Sequence, residues 1–250
     1  PMTEIPNIHT YFKGATAILE QVLRSETHNL DRAAQLITDS LSGSGVLHIF
    51  GAGHGHLFSE ELAYRAGGLV PINPILDYGY TLMGGSASRS TKLERLEGYS
   101  RILMGNYEFR QGEVILIVSQ SGINPGPIEV ALVGREEGLQ VIVVTSLGQS
   151  KSMPSRHSSG MRLFEVADVI IDNHVPIGDA LVELKPGYPK VAAVSTVIGA
   201  AILQSLVAEV ALRLLDRGLE PPIWVSANVP EGDEHNQRMA GKYPSRLKAY

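Results

Sequence analysis

The sequence predicts an α/β fold in which a doubly wound, five-stranded parallel sheet is covered by helices on both faces. Short, wholly apolar segments alternate along the chain with longer segments whose apolar residues repeat at helical spacing. Strands that are buried on both faces of a parallel sheet read as continuous apolar runs, which is the pattern seen here. The predicted strands are residues 46–50, 69–75, 114–118, 141–145 and 169–171.

Helical periodicity accompanies these strands from one end of the chain to the other. Two N-terminal helices are predicted within residues 8–42, and a long apolar helix is predicted from about 190 to 217. The shorter predicted helices are residues 55–67, 91–103 and 128–137. We expect a single domain over residues 1–250, with its core at about 30–215 and an irregular tail at 221–250.

Composition limits the class of protein. The chain has 250 residues, of which 44% are hydrophobic and 19% charged, so it can bury a sizeable core. Its net charge is −5 and no lysine- or arginine-rich run is present, which argues against nucleic acid as the main partner. The absence of cysteine fits a reducing cytoplasm. Residues 191–208 are mostly apolar, but Gln204 and the following Glu209 favour a buried or interface helix over a membrane span.

A glycine-rich turn, residues 51–56, follows the first predicted strand. It contains Gly53, His54 and Gly55, and it lies where open parallel sheets bind their ligands. A dinucleotide-binding turn would have a third glycine where this chain has His56, so that match is weak. The turn fits a close approach of backbone to a ligand, or simply a tight turn.

A serine-rich loop, residues 119–126, follows the third predicted strand. Ser119, Ser121 and Asn124 supply side-chain donors, and Gly122 allows the backbone to approach a ligand closely. The helix that begins near Pro127 would point its free N–H groups at the same place. This combination is typical of a phosphate site; the structural alternative is a polar turn with capping serines.

The two loops together resemble those of SIS (sugar isomerase) domains, in which a Gly-x-Gly-x-Ser turn and a later Ser-x-Ser-Gly-x-Thr loop follow strands. The resemblance covers about residues 30–215, and it adds Thr145 and Ser146 to the substrate-binding residues. This chain has Gly55 in place of the family's serine and Asn124 in place of its threonine. The resemblance is to a branch near phosphoheptose isomerases and amino-sugar-phosphate lyases. It implies a flavodoxin-like sheet, a homodimer and a phosphorylated sugar as the ligand.

Chemistry at C1 and C2 of a sugar phosphate needs a base beside the carbonyl and an acid that opens the ring. Glu60 and Glu61 are the candidate bases, because they lie at the start of the helix after the glycine turn; a solvated pair favoured by the helix dipole is the alternative. The resemblance implies a catalytic glutamate on this helix, about one turn later by ungapped count. His56 and His235 are the other catalytic candidates, and His235 could act in a neighbouring subunit's site.

Further candidate ligand-binding residues lie in the predicted loop after the fourth strand. Arg156 can pair with a phosphate bidentately, and His157 lies beside it, although a plain exposed loop would look the same. His54 and His56 could form part of a metal site. No further ligands occur at a recognisable spacing, so we expect no metal and no cofactor.

We therefore predict a cytoplasmic, homodimeric enzyme that acts on a hexose or N-acetylamino-sugar 6-phosphate by removing the proton on C2. The reaction is expected to be of the dehydratase or lyase type, for example on N-acetylglucosamine 6-phosphate. An aldose–ketose phosphosugar isomerase and a non-catalytic sugar-phosphate sensor are the alternatives. A DNA-binding regulator is disfavoured, because the first 45 residues contain only two predicted helices and no basic recognition face.

Overall fold

A five-stranded parallel sheet forms the centre of the protein, as predicted. The computed structural model describes residues 7–247, so the predicted domain limits at 1 and 250 lie outside the described residues. The strand order is β2-β1-β3-β4-β5, the flavodoxin-like order, and all four pairings are parallel. The strands are β1 (Leu47–Gly51), β2 (Ile72–Pro74), β3 (Val114–Val118), β4 (Gln140–Thr145) and β5 (Val169–Asp172).

Ten helices surround this sheet within the described residues. They are α1 (Ile8–Ser25), α2 (Thr27–Ser42), α3 (His56–Leu62), α4 (Ala87–Glu94), α5 (Tyr99–Met104), α6 (Pro125–Glu136), α7 (Leu147–Lys151), α8 (Leu163–Val166), α9 (Ser195–Asp216) and α10 (Gly232–Ala240). Alternate strand residues face opposite layers, so Leu116 packs with α1, α2, α3 and α9, whereas Ile115 and Ile117 pack with α5, α6 and α8. The predicted doubly wound arrangement is thereby confirmed.

Two predicted helices are shorter or divided in the structure. Helix α3 ends at Leu62, because Ala63 is extended and Tyr64 has a φ of 44°. The predicted helix over 91–103 is two helices, α4 and α5, because Gly98 lies between them with a φ of 89°. The long helix α9 begins at Ser195 and not near 190.

A short antiparallel hairpin precedes α9 and was not predicted from the sequence. Its strands are β6 (Ala180–Val182) and β7 (Val191–Ala193). The hairpin contacts α1, and Asp179, directly before β6, accepts a hydrogen bond from the backbone N–H of Ser195 at the start of α9. It therefore helps to position the residues at the N-terminus of that helix.

Helix α9 is long and apolar enough to cross a membrane by length and composition. In the structure, however, Ile198, Ile202 and Leu206 are buried against the sheet with α1 and α2. This packing makes α9 a core helix of the fold. Burial of this face accounts for part of the apolar composition of the segment.

The tail at 221–250 was predicted to be irregular, but Gly232–Ala240 form the helix α10. Ile223 forms a bridge with Leu69, and α10 packs through Met239 against Val70 and Trp224. These contacts form a small third cluster of buried apolar residues, apart from the two on the faces of the sheet. The prediction failed because α10 has a polar sequence with few apolar residues, so its helical period is weak.

The tail is also anchored by a buried charge network at the amino end of the sheet. Arg246 is 6% exposed and forms an ion pair with Glu113, which is 3% exposed. Glu113 also contacts His48 Nε2 at 3.0 Å and accepts hydrogen bonds from the backbone N–H groups of Val46 and Arg110. Burial alone would raise the pKa of Glu113, but His48, the N–H of Arg110 and Arg246 together lower it below its ordinary value.

We expect Arg246→Ala to reduce the free energy of unfolding by about 3 kcal/mol, because it leaves a buried carboxylate without its cation. Lys242→Ala is the matched control, since Lys242 pairs with Glu220 at the surface; it should cost less than about 1 kcal/mol. The lowered pKa of Glu113 stabilises the fold above the ordinary glutamate pKa, and this contribution is lost as the pH falls through the folded-state value. Urea unfolding at neutral and acidic pH measures both effects. An equal loss for the two variants at neutral pH would contradict the buried anchor.

Candidate active site

The glycine turn after β1 brings the backbone close to the neighbouring loop. A Cβ at Gly51 would overlap the backbone of Gly55, and a Cβ at Gly55 would lie 3.0 Å from the Val118 carbonyl oxygen at the end of β3. Gly53 has a φ of 59°, which side chains rarely tolerate. The turn therefore requires glycine for reasons of space and conformation, and it exposes His54 at the carboxyl edge of the sheet.

The serine loop is held in place from the adjacent β4 end. The backbone N–H of Ser146 and the hydroxyl of Thr145 both donate to the Gln120 carbonyl oxygen, at 3.1 and 3.3 Å. Ser119 Oγ accepts a hydrogen bond from the Gly122 N–H at 3.3 Å. Thr145 and Ser146 are buried, so they support the loop and do not line the cleft beside it.

The two loops form one wall of a cleft of about 340 Å³ at the carboxyl ends of β1 and β3. This is the position where the strand order reverses, which is where ligands bind in such sheets. The cleft brings together six of the predicted ligand-binding residues: Gly53, His54, Gly55, Ser119, Ser121 and Asn124. We call it the phosphate cleft.

The opposite wall comes from the start of α9 and was missed from the sequence. Ser195, Thr196 and Gly199 line the cleft together with Asp179. Asp179 has a φ of 66°, and its carboxylate accepts hydrogen bonds from the N–H groups of Val194 and Ser195, at 3.0 and 2.8 Å, and from the Ser195 hydroxyl at 2.7 Å. A left-handed aspartate in this position indicates a local strain that the three hydrogen bonds offset.

Glu94 is the second residue that the sequence did not reveal as part of the site. It lies at the end of α4, lines the phosphate cleft and accepts a hydrogen bond from Asn124 Nδ2 at 2.8 Å. Arg156 Nη1 donates to Asn124 Oδ1 at 2.8 Å, so Arg156 reaches the cleft only through that amide. Burial raises the pKa of Glu94 above its ordinary value, and Asn124 and two nearby arginines oppose the shift only in part.

A second cleft of about 350 Å³ adjoins the first. The two share Gly53 and His54, so His54 lies at their boundary. His56 and Glu60 line the second cleft, and their Nδ1 and Oε1 atoms are 3.0 Å apart. His56 and Glu60 therefore lie beside the glycine turn, as expected from the sequence, but they line the second cleft and not the phosphate cleft.

The remaining predicted residues are placed elsewhere in this chain. Glu61 accepts hydrogen bonds from Gln204 at 3.0 Å and Arg65 at 2.9 Å, and it lines neither cleft. His157 Nδ1 contacts Ser159 Oγ within its own turn at 2.7 Å. His235 Nε2 contacts the Ile223 carbonyl oxygen at 2.9 Å, at the opposite edge of the sheet. Within residues 7–247, no group of three or more His, Cys, Asp or Glu side chains is placed to hold a metal ion.

This arrangement has the features of a small-molecule site in a sugar-isomerase fold, and comparison with known proteins agrees. A family model described as the SIS domain matches residues 10–146, which include both loops of the phosphate cleft. The chain belongs to the SIS domain family.

Similar proteins of nearly the same length are known. The chain is 43% identical over 240 residues to a UPF0309 protein of Halalkalibacterium halodurans, with 96% of each chain covered. It is 42% identical to a UPF0309 protein of Geobacillus kaustophilus, with 96% of this chain and 95% of the other covered.

Solved structures of phosphoheptose isomerases share the fold. The enzyme from Francisella tularensis matches with a TM-score of 0.53 and 13% identity, over 84% of this chain and 100% of the other. The enzyme from Neisseria gonorrhoeae matches with a TM-score of 0.56 and 14% identity, over 82% and 97%. The resemblance stated from the two loops is thereby confirmed at the level of family and fold.

The raised pKa of Glu94 has a consequence for stability that can be measured. Its ionisation above the ordinary glutamate pKa opposes folding, so Glu94→Gln should stabilise the protein at neutral pH, and the gain should vanish below the ordinary pKa. Exposed Glu97 is the control with the opposite sign, because hydrogen bonds from Ser158 lower its pKa. Glu97→Gln should therefore slightly destabilise the protein at neutral pH. Thermal unfolding between about pH 4, close to the ordinary glutamate pKa, and about pH 8 tests the two variants. Changes in Tm of the same sign for both variants at neutral pH would contradict the assignment.

Proposed function

We propose that the protein is an enzyme that binds a hexose or N-acetylamino-sugar 6-phosphate and moves the proton on C2. The proposal depends chiefly on one observation: Glu94, a carboxyl with a raised pKa, lies in the same cleft as the serine loop. A carboxyl whose pKa is raised by burial is suited to donating a proton in acid–base chemistry. The fold shared with phosphoheptose isomerases is compatible with this function.

The phosphate would lie against the serine loop and the N-terminus of α6. Ser119 and Ser121 present hydroxyls, and Gly126 carries the backbone N–H nearest the start of α6, because the flanking Pro125 and Pro127 have none. None of the described residues that line this cleft is Lys or Arg. The phosphate would therefore be held by neutral donors and the helix dipole, with Arg156 acting on it only through Asn124.

The reacting carbons would lie between His54 and Glu94. His54, exposed at the boundary of the clefts, would take the proton from C2 beside the C1 aldehyde, giving an enolate. Glu94 would donate its proton to the C3 hydroxyl, so that the C3–O bond breaks, water leaves and a C2–C3 double bond forms. Return of a proton to C1 would instead give the ketose, a route that is closed when C2 carries nitrogen in place of oxygen. These residues replace Glu60 and Glu61 as our candidates for the reacting groups.

Proton exchange in deuterated water, followed by NMR with a panel of sugar 6-phosphates, tests this function. We expect loss of the C2 proton signal together with an alkene signal, and Glu94→Gln should slow this reaction by about 100-fold or more. Glu97→Gln, which alters an exposed carboxyl outside the cleft, should react at the wild-type rate.

Other results would assign the site differently. Exchange with formation of a ketose would make the protein an isomerase. Binding without any exchange would make it a sugar-phosphate sensor and contradict the catalytic proposal. If Glu60→Gln or Glu61→Gln abolished exchange while Glu94→Gln did not, the sequence-based candidates would be right and Glu94 would be the wrong residue.

We also infer that the protein forms a homodimer through α9 and acts in the cytoplasm. The outer face of α9 carries exposed Val197, Leu212 and Leu215, with small residues between them, and an apolar helix face of this kind suits an interface with a second copy. The cysteine-free composition fits a reducing compartment.

Leu212→Glu should shift the protein towards monomer in sedimentation velocity experiments, because it places a charge in the proposed contact. Ile102→Glu is the matched control, since Ile102 is also exposed but lies on α5, in the other helical layer. A dimer that resists Leu212→Glu and dissociates with Ile102→Glu would place the interface on the opposite face.

A further inference from the structure

The second cleft differs in chemistry from the phosphate cleft beside it. It lies between α3 and α4, and its walls include Leu57, Leu82 and Met83. These side chains are 45%, 60% and 71% exposed, although they are apolar. Apolar side chains gathered around a concave surface next to a ligand site gain stability when an apolar group covers them.

One buried polar atom of a residue that lines this cleft lacks a hydrogen-bond partner among the described residues. His56 Nδ1 lies 3.0 Å from the Glu60 carboxylate, which can only accept a hydrogen bond when ionised, so Nδ1 carries the hydrogen. A neutral His56 ring then has its lone pair on Nε2. That nitrogen is buried and has no hydrogen-bond partner among the described residues. A buried acceptor without a partner is unfavourable, and a ligand N–H would satisfy it.

We propose that the second cleft binds the acyl group of an N-acylated amino-sugar phosphate, and that it accepts acyl chains longer than acetyl. The amide N–H on C2 would donate to His56 Nε2, and the acyl carbons would pack against Leu57, Leu82 and Met83. This inference rests on the proposed function, because the phosphate cleft must hold the other end of the same molecule.

The relative position of the two clefts supports this assignment. In an amino-sugar 6-phosphate, the phosphate on C6 and the nitrogen on C2 project from distant parts of the sugar. The two clefts meet at Gly53 and His54, so a sugar that spans them would present C2 near His54. The second cleft, at about 350 Å³, has far more room than the two carbons of an acetyl group require. A hexose without an acyl group would leave the apolar walls exposed to solvent and His56 Nε2 without a hydrogen-bond partner.

Isothermal titration with a series of ligands tests the proposal. The series is glucose 6-phosphate and then glucosamine 6-phosphate carrying an N-acetyl, N-propionyl or N-butyryl group. We expect N-acetylglucosamine 6-phosphate to bind at least about tenfold more tightly than glucose 6-phosphate, since it adds a hydrogen bond and apolar contact. Each further methylene should tighten binding by about threefold to fourfold.

Two variants and one control locate the effect. Leu82→Ala should reduce the gain per methylene to less than about twofold, because it removes part of the apolar wall. His56→Phe should reduce the preference for N-acetylglucosamine 6-phosphate over glucose 6-phosphate by about fivefold, because it removes the acceptor. Leu96→Ala changes a leucine that is also more than half exposed but lies outside both clefts, so it should leave the series unchanged.

The failures of the two proposals are distinguishable. If none of these sugar phosphates bound, the proposed function would fail and the acyl subsite with it. If glucose 6-phosphate bound as tightly as the acylated ligands and Leu82→Ala had no effect, the acyl subsite would be wrong while the proposed function stood. Weaker binding with each added methylene would also overturn the subsite.

Discussion

The close contact between Gly51 and Gly55 is the constraint on which the candidate site depends. A side chain does not fit at Gly51, because its Cβ would overlap the turn, and a Cβ at Gly55 would crowd the Val118 carbonyl oxygen of β3. The turn can therefore fold directly against the end of β3, where the serine loop begins. This contact brings the glycine turn and the serine loop, which are about 60 residues apart in the sequence, into one cleft. The helix α3 begins directly after the turn, at His56. A serine at Gly55, as in the motif that the turn otherwise resembles, would require a small shift between the turn and the Val118 carbonyl oxygen.

The phosphate cleft combines neutral donors with two carboxyl groups, those of Glu94 and Asp179, and this combination limits what it can bind. Asn124 connects Glu94 to Arg156, so the arginine partly compensates the carboxyl without itself lining the cleft. Because burial has the larger effect, Glu94 keeps its proton to a higher pH than an ordinary glutamate. A protonated Glu94 does not repel a phosphate, whereas an ionised one would. The pKa shift thus serves both the binding of an anion and the donation of a proton.

The sequence predicted the sheet well because its strands are buried on both faces and read as unbroken apolar runs. It predicted the serine loop for a related reason: a polar loop directly after such a run has a fixed place at the sheet edge. Glu94 and Asp179 could not be found in this way, since they reach the cleft from α4 and from the hairpin before α9, and only tertiary packing brings them there. The positive φ of Asp179 could not be predicted from the local sequence either, because aspartate adopts a left-handed backbone far less often than glycine does. The tail was misread because α10 is polar and depends on a few anchors, Met239 and Arg246 among them.

The same reasoning explains why the two predicted glutamates separate in the structure. Adjacent residues on a helix project about 100° apart (the angle follows from 3.6 residues per turn), so Glu60 and Glu61 cannot both face one cleft. Glu60 faces His56 and the second cleft, while Glu61 turns towards Gln204 of α9. The position of Glu60 fixes the His56 tautomer and leaves a buried acceptor, a feature that is costly unless a ligand uses it. His56 therefore marks the second cleft as part of the binding surface, continuous with the phosphate cleft through the turn that Gly51 makes possible.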